Sequence, residues 1–456
     1  MSSYGLSGSG LTESGPPLQA VALDGRTATA SNGWAAWLIL LGCAMPSYMT
    51  IYVGGAKFIP ARIVIVLLLV PALTELFQRS RWLRASDFFV CAASAWMLAA
   101  VLETDQGWSS AAALILEFSG GYFVARAYFF GRRGLEAFVR VLKPVTAGIV
   151  AVAVLEHLTQ HNVVAALMGL PSTGYEYRYG LLRATSTFPH AILYGSFCAV
   201  AGAVFLYSER SFFGRSLYCG LCLFGCVLAM SSAPLMAFGI VLSVYCYDQL
   251  LLGCRWRWHA LVASLFTLLG VVFLVANKPI SWIVANLTLD PATGYFRVAT
   301  WESAGYYIDL SPYVGYGFGS YASPDDFFGN ASVDSVWLTL ALRFGIPLVV
   351  FILLANITAF LPSRRTASIP YYHDAYMSNM RTAFTLGLTM FMFVGLTVHY
   401  WNNSWILWGI WIGIRASLKE ESVAVVENPV LYRQGMASID RDLTVGQATR
   451  GFHASR

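Results

Sequence analysis

Three short stretches of the sequence hold the groups best suited to handling an anion and a proton. The first is Arg183-Ala-Thr-Ser-Thr-Phe-Pro-His190, where a guanidinium, small and hydroxyl residues and a helix-starting proline concentrate donors toward a helix N-terminus. The second is Tyr295-Phe-Arg297-Val-Ala-Thr-Trp301-Glu302. Arg297, Trp301 and Ile308 fall at helical spacing, so a short amphipathic helix there presents a cation and an indole on one face, a pair suited to a phosphate beside a sugar ring. The third is Val333-Asp334-Ser335-Val336-Trp337-Leu338, an acid at the mouth of an apolar helix, placed like a general base. Each stretch also has a plain structural use. Arg183 can snorkel to lipid headgroups while Thr185 or Ser186 caps the helix, His190 can cap or pack, the Arg297 face can anchor at an interface, and Asp334 can N-cap its helix.

Two further stretches lie close to these in character. Pro312-Tyr-Val-Gly315-Tyr-Gly317-Phe-Gly319 resembles a dinucleotide fingerprint only in its glycines, since the strand and βαβ setting are missing and no Gly-Lys-Ser follows. Tight, close-approaching backbone is the expected use of these glycines. His399-Tyr-Trp-Asn-Asn403 is a polar and aromatic turn that could line an acceptor path. Trp301, Tyr306, Tyr307, Tyr313, Tyr316, Phe318 and Tyr321 offer stacking faces to a glycan or form an interfacial belt.

The elements that must position these residues are apolar helices. Charged residues are 12 % of the 456-residue chain and hydrophobic residues 57 %, a balance foreign to a water-soluble domain. The net charge of +5 is scattered, and no basic run points to nucleic acid. All eight cysteines sit in or beside apolar stretches, where they read as small core residues; Cys219, Cys222 and Cys226 have helical context, and no metal site is assigned. Apolar stretches occur at roughly 34–54, 58–77, 87–103, 108–129, 141–158, 188–207, 216–232, 234–252, 259–277, 335–361, 381–399 and 403–418, about twelve in all. The expected architecture is an all-α, polytopic membrane bundle. Residues 1–33 read as a disordered tail, 34–418 as the membrane domain and 419–456 as a C-terminal tail.

Orientation follows from charge. Every even-numbered exit is basic, from Arg79, Arg81 and Arg84 after the second span to Arg415 and Lys419 after the last, which places those turns and both termini in the cytoplasm. The two long connections, about 158–187 and 278–334, then face outward. Lys57, Arg178, Arg183, Lys278 and Arg297 are the outward cations that orientation does not explain, and Arg183 and Arg297 stand out by their neighbours. Arg62, Glu117, Arg126 and Arg343 lie within or at apolar segments; Glu117 and Arg126 can pair inside the bundle or line a lipid-diphosphate groove, pairing being the expected use.

In order and type, these features resemble the O-antigen ligase and O-antigen polymerase superfamily. The resemblance rests on the Arg183-to-Pro189 segment, the Ser231-Ser-Ala-Pro234 turn and the large loop with Arg297, Trp301 and the Gly315-Gly317-Gly319 run, and covers about 180–350. It also rests on Asp334-Ser335, which stands where family members carry His-Asn or a similar pair, with Gly345 after nine intervening residues. The resemblance implies a GT-C-like, metal-independent, inverting glycosyltransferase of the bacterial inner membrane that needs no cofactor. Its donor is a glycan on undecaprenyl diphosphate, its acceptor a glycan, and its neighbours are membrane lipids, a flippase and a chain-length regulator.

Under this resemblance Arg297 and Arg183 meet the growing charge of the diphosphate, and Asp334 takes the acceptor proton, with His190 as the alternative base. His190, Trp301, Gly315, Gly317, Gly319, Ser335 and His399 are the substrate-contact candidates. Asp334 in place of His inclines the reading toward a polysaccharide polymerase over a ligase that transfers glycan to lipid A core. A lipid-linked glycan transporter is the alternative of another class, distinguished by an internal repeat and broken mid-membrane helices.

Overall fold

The computed structural model describes residues 32–53, 56–78, 81, 83–169, 176–178, 180–277, 279, 282, 291–319, 333–361 and 374–427. Most of the N-terminal tail, most of the C-terminal tail, Lys278, Tyr321, Asp325 and Asp326 lie outside these residues. The described chain is almost entirely helical, with two two-stranded hairpins.

The helices follow the apolar stretches, with informative departures. Helix α1 (Asn32–Ala44) stops ten residues short of the expected 34–54 span, because Pro46 lacks the N–H a further turn would need. Strands Ile51–Val53 (β1) and Ala56–Phe58 (β2) then pair antiparallel. Helices α2 (Pro60–Gln78) and α3 (Ala85–Thr104) come next. The expected 108–129 span is α4 (Trp108–Ile115) and α5 (Gly121–Tyr128), joined by a single π turn at Leu116–Gly120.

Helix α6 (Gly131–Thr159) leads through α7 (Val163–Leu167) and the hairpin β3 (Tyr177–Arg178) and β4 (Leu181–Leu182) into α8 (Ala191–Ser208). Helices α9 (Phe212–Leu228), α10 (Ser232–Leu250) and α11 (Arg257–Val275) follow. The short helix expected around Arg297 is a 20-residue helix, α12 (Pro291–Leu310). The expected 335–361 span is two helices, α13 (Val336–Phe344) and α14 (Ile346–Phe360), broken at Gly345 with φ +78°. Helix α15 (Ala375–Val394) and α16 (Asn403–Glu427) complete the unit, α16 running past the expected end at 418.

Six of these helices, α2, α3, α6, α8, α10 and α11, are long and apolar enough to cross a membrane. Helix α11 makes the argument for a bilayer most directly. Its mean hydropathy is 2.2 and none of its residues is buried, so Phe266, Leu268, Phe273 and Leu274 project outward. An apolar helix exposed all round is stable in lipid and not in water.

Helix α8 is the opposite case and the hub of the bundle. All but two of its residues are buried, against α9, α10 and α15. Helix α16 meets the π-turn segment at backbone distance: a Cβ on Gly409 would lie 2.2 Å from the Phe118 carbonyl, and one on Gly413 2.4 Å from that of Tyr122. Small residues at such crossings let membrane helices gain close contact without a hydrophobic driving force. The first residue before α8 is His190, so the hub's N-terminus and the candidate chemistry share one point.

Candidate functional site

The Arg183–His190 segment is fixed from beneath by a residue that sequence reading passed over. Glu156, near the end of α6 and buried, accepts hydrogen bonds from the backbone N–H groups of Thr185 at 2.9 Å and Ser186 at 2.7 Å. Ser186 adopts φ +53°, and its hydroxyl donates to the Ile149 carbonyl at 2.7 Å. The donors expected to form an open anion nest are therefore spent on a protein carboxylate. Asn162 caps α7 and reaches Thr185 as well, at 3.2 Å. The result is a fixed strap with Arg183 at one end and His190 at the other.

Helix α8 begins at Ala191, not at the proline, and His190 is its cap: Nδ1 accepts from the Ile192 N–H at 3.1 Å. With Nδ1 an acceptor, the ring proton sits on Nε2, which faces Glu176 Oε1 at 3.3 Å. Both ring nitrogens of His190 are thus engaged, Nδ1 by the Ile192 N–H and Nε2 by Glu176. Glu176 also pairs with the Arg183 guanidinium. The hydrogen bond from His190, joined by the charges of Arg183 and Arg178, holds the Glu176 carboxyl below the usual range.

Arg183 and Arg178 have a second attachment. Arg183 Nε donates to the Ala229 carbonyl at 3.3 Å and Arg178 Nη1 to that of Met230 at 2.9 Å, so both grip the turn between α9 and α10. Cations at a helix C-terminus are favourably placed against its exposed carbonyls. Arg178 is thus a clamp on the Ser231-to-Pro234 turn, where a solvated charge is the ordinary expectation for a loop arginine. Ser231 and Ser232 open α10.

From the other side come α12 and the start of α13. Arg297 is buried at 6 % exposure, and its Nη1 has no hydrogen-bond partner among the described residues. Burial lowers its pKa; the charge of Asp334 opposes that shift, and Arg178 and Arg183 add to it. Asp334 answers in kind. Burial raises its pKa, His190 and Arg297 pull it down, and Glu176 pushes it up. Three segments remote in sequence therefore meet in one electrostatic cluster of Arg178, Arg183, Arg297, Glu176, Asp334 and His190.

Asp334 is not the cap of α13. That role belongs to Ser335, whose Oγ accepts from Leu338 N and donates to the Gly395 carbonyl at 3.1 Å. The 395–401 turn organises this whole side. Val336 N donates to the carbonyls of Gly395 and Val398, each at 3.0 Å, and the Trp301 indole N–H to that of Leu396 at 3.3 Å. Ser335 and Trp301 are thereby assigned to support. The Trp301 ring packs with Ala304, Val333, Leu338 and Leu342 in a small core between α12 and α13. His399, buried, keeps Nδ1 without a hydrogen-bond partner among the described residues and lies edge-on to Trp401 at 5.4 Å, which in turn is 6.1 Å from His190.

The glycine run has a packing role rather than a ligand-facing one. Gly315 (φ +71°) lies so close to the end of α13 that a Cβ would sit 2.5 Å from the Leu342 carbonyl, and a Cβ on Gly317 (φ +60°) would meet Thr104 Oγ1 at 2.5 Å. Tyr316 N and Gly317 N bond the carbonyls of Leu342 and Arg343 at 2.8 and 2.9 Å. Gly319 has looser surroundings, its nearest neighbour being the Tyr316 carbonyl.

Neither a family model nor a curated protein sequence matches the chain. Chemically, the cluster offers guanidinium donors, one of them the buried Arg297 whose Nη1 has no partner among the described residues, and a carboxylate whose pKa is raised by burial. Glu176 and Glu156 are the site residues that sequence reading missed. Glu176 carried one signal, as the single acidic residue of the 158–187 loop.

Proposed function

We propose that this chain is a polysaccharide polymerase of the bacterial inner membrane, a GT-C-like bundle of about twelve spans with both termini cytoplasmic and the cluster facing the periplasm. It transfers a glycan from undecaprenyl diphosphate to the acceptor hydroxyl of another lipid-linked repeat unit, with inversion, in exopolysaccharide or O-antigen synthesis. The observation that carries this reading is Arg297: a buried guanidinium whose Nη1 has no hydrogen-bond partner among the described residues and which feels the charge of Asp334. A buried, unsatisfied cation is costly unless a ligand anion completes it.

In this reading the bond between the anomeric carbon and the diphosphate oxygen breaks, and its electron pair leaves on the diphosphate. Arg297 and Arg183 meet that growing charge through charge-assisted hydrogen bonds, strongest where water is excluded. The acceptor hydroxyl attacks the opposite face of the sugar, and its proton passes to Asp334, whose raised pKa suits a general base. Membrane lipids surround the bundle, and a flippase and a chain-length regulator are the expected neighbours.

The test is incubation of the purified protein with a lipid-diphosphate-linked repeat unit. A ladder of lengths supports the polymerase. A single transfer to a different acceptor makes the chain a ligase, and movement of the lipid across vesicles without product makes it a transporter.

A further inference from the structure

Two carboxylates serve the Arg183–His190 strap, and they do so differently. Glu156 is 1 % exposed and bonds backbone N–H groups, so it holds the strap's conformation. The Glu176 side chain is 49 % exposed, and its carboxylate bonds the side chains of Arg183 and His190. Its removal leaves the Glu156 bonds and the Arg183 contact with the Ala229 carbonyl in place.

The charges around Glu176 are unbalanced. Among the arginines and carboxylates alone, Arg178, Arg183 and Arg297 stand against Glu176 and Asp334, which leaves one positive charge in excess. With Glu176 withdrawn the excess is two, the charge a phosphate dianion would neutralise. The two N–H donors that converge on Glu176, a guanidinium and an imidazole Nε2, are those a tetrahedral phosphoryl oxygen accepts equally well.

We infer that Glu176 is an exchangeable counter-ion, occupying the Arg183–His190 donors in the free protein and giving them up to a phosphate of the diphosphate-bearing substrate. The inference rests on the donor class of the proposed function and adds a residue and an order of events to it. Glu176 keeps the donors oriented while the site is empty, and incoming phosphate must outcompete it. The apparent affinity for diphosphate is therefore reduced by the fraction of time Glu176 is bound.

Its sign separates it from a structural role. Titration of the purified full-length protein with inorganic diphosphate should give tighter binding by Glu176→Gln than by wild type, about three- to tenfold by this competition. Glu176→Asp, which keeps the charge on a shorter arm, should fall between them and serves if the glutamine variant does not fold. Unchanged or weaker binding by a folded Glu176→Gln overturns the inference and makes Glu176 a fixed part of the site. The glycan ladder assay is read separately. A missing ladder with tightened diphosphate binding removes the polymerase reading and keeps the counter-ion; a ladder without tightening does the reverse.

Discussion

The molecule holds two clusters of arginine and carboxylate, and they are built on opposite principles. In one, Arg126 binds both oxygens of Asp87 at 2.5 and 2.7 Å and Glu420 at 2.8 Å, while Arg81 reaches Glu420 at 2.6 Å. Tyr122 adds its hydroxyl to Asp87 and Ser86, and the participants come from α3, α5, α16 and, for Arg81, the segment before α3. Each carboxylate there faces a guanidinium and almost no solvent. In the other, Arg297 is also buried, yet it forms no ion pair among the described residues, and the cluster includes a half-exposed acid. A paired cluster ties helices together. An incompletely paired one has charge left for a ligand.

The pairing expected between Glu117 and Arg126 is resolved by the same logic. Glu117, in the π turn, takes Arg62 at 2.6 Å, and Arg126 takes Asp87 and Glu420. Both ions meet an opposite charge, from partners on other elements.

Substitutions in the two clusters should differ in what they disturb. Arg126→Ala should cost about 3–5 kcal/mol, because Asp87 is left buried without its cation; thermal unfolding in detergent measures it, and an unchanged melting temperature would deny the cluster a structural role. Asp334→Asn should lower turnover by about two to four powers of ten with little change in KM or in melting temperature. An unaltered rate would reduce Asp334 to a bystander.

Arg297→Ala should lower glycan extension by about 10²–10³-fold, as for loss of a preorganised donor, and should leave the fold intact since Nη1 has nothing to lose. Long-chain product at the wild-type level would refute the site. Gly315→Ala should destabilise by about 1–3 kcal/mol, from its positive φ and the blocked approach to Leu342. The smallest effect is in pH. Asp334 must be ionised to act as a base, so activity rises with pH, and because burial raises its pKa the acid limb sits above the ordinary value of about 3.9. Arg297→Ala removes a charge that favours the ionised form, so whatever rate remains should show the limb moved further up. A limb at or below the ordinary value would mean that Asp334 is not the titrating base.

Much of this was legible in the chain. Apolar stretches located nearly every helix, since a membrane helix needs a long apolar run whatever its neighbours. The breaks were less visible: the π turn at Leu116–Gly120 and the stop at Gly345 lie inside runs of unbroken hydrophobicity, where local backbone geometry and not polarity ends the helix. Arg183, Arg297 and Asp334 could be singled out because cations and acids are scarce here and the positive-inside rule gives most of the other arginines an expected use.

Function of neighbours was not legible. Whether Thr185 and Ser186 present free N–H groups depends on Glu156, about thirty residues earlier in sequence, and whether Asp334 or Ser335 caps α13 depends on the 395–401 turn. Sequence alone determined that this chain is a helical bundle for an apolar medium, because composition and periodicity act residue by residue. Only tertiary structure decided which charges are satisfied, because pairing is a property of side chains brought together from distant helices and strongly limited by burial. That is why Arg126 and Arg297, alike as letters in apolar surroundings, part company: carboxylates from two other helices close on the first, and the second has no ion pair among the described residues.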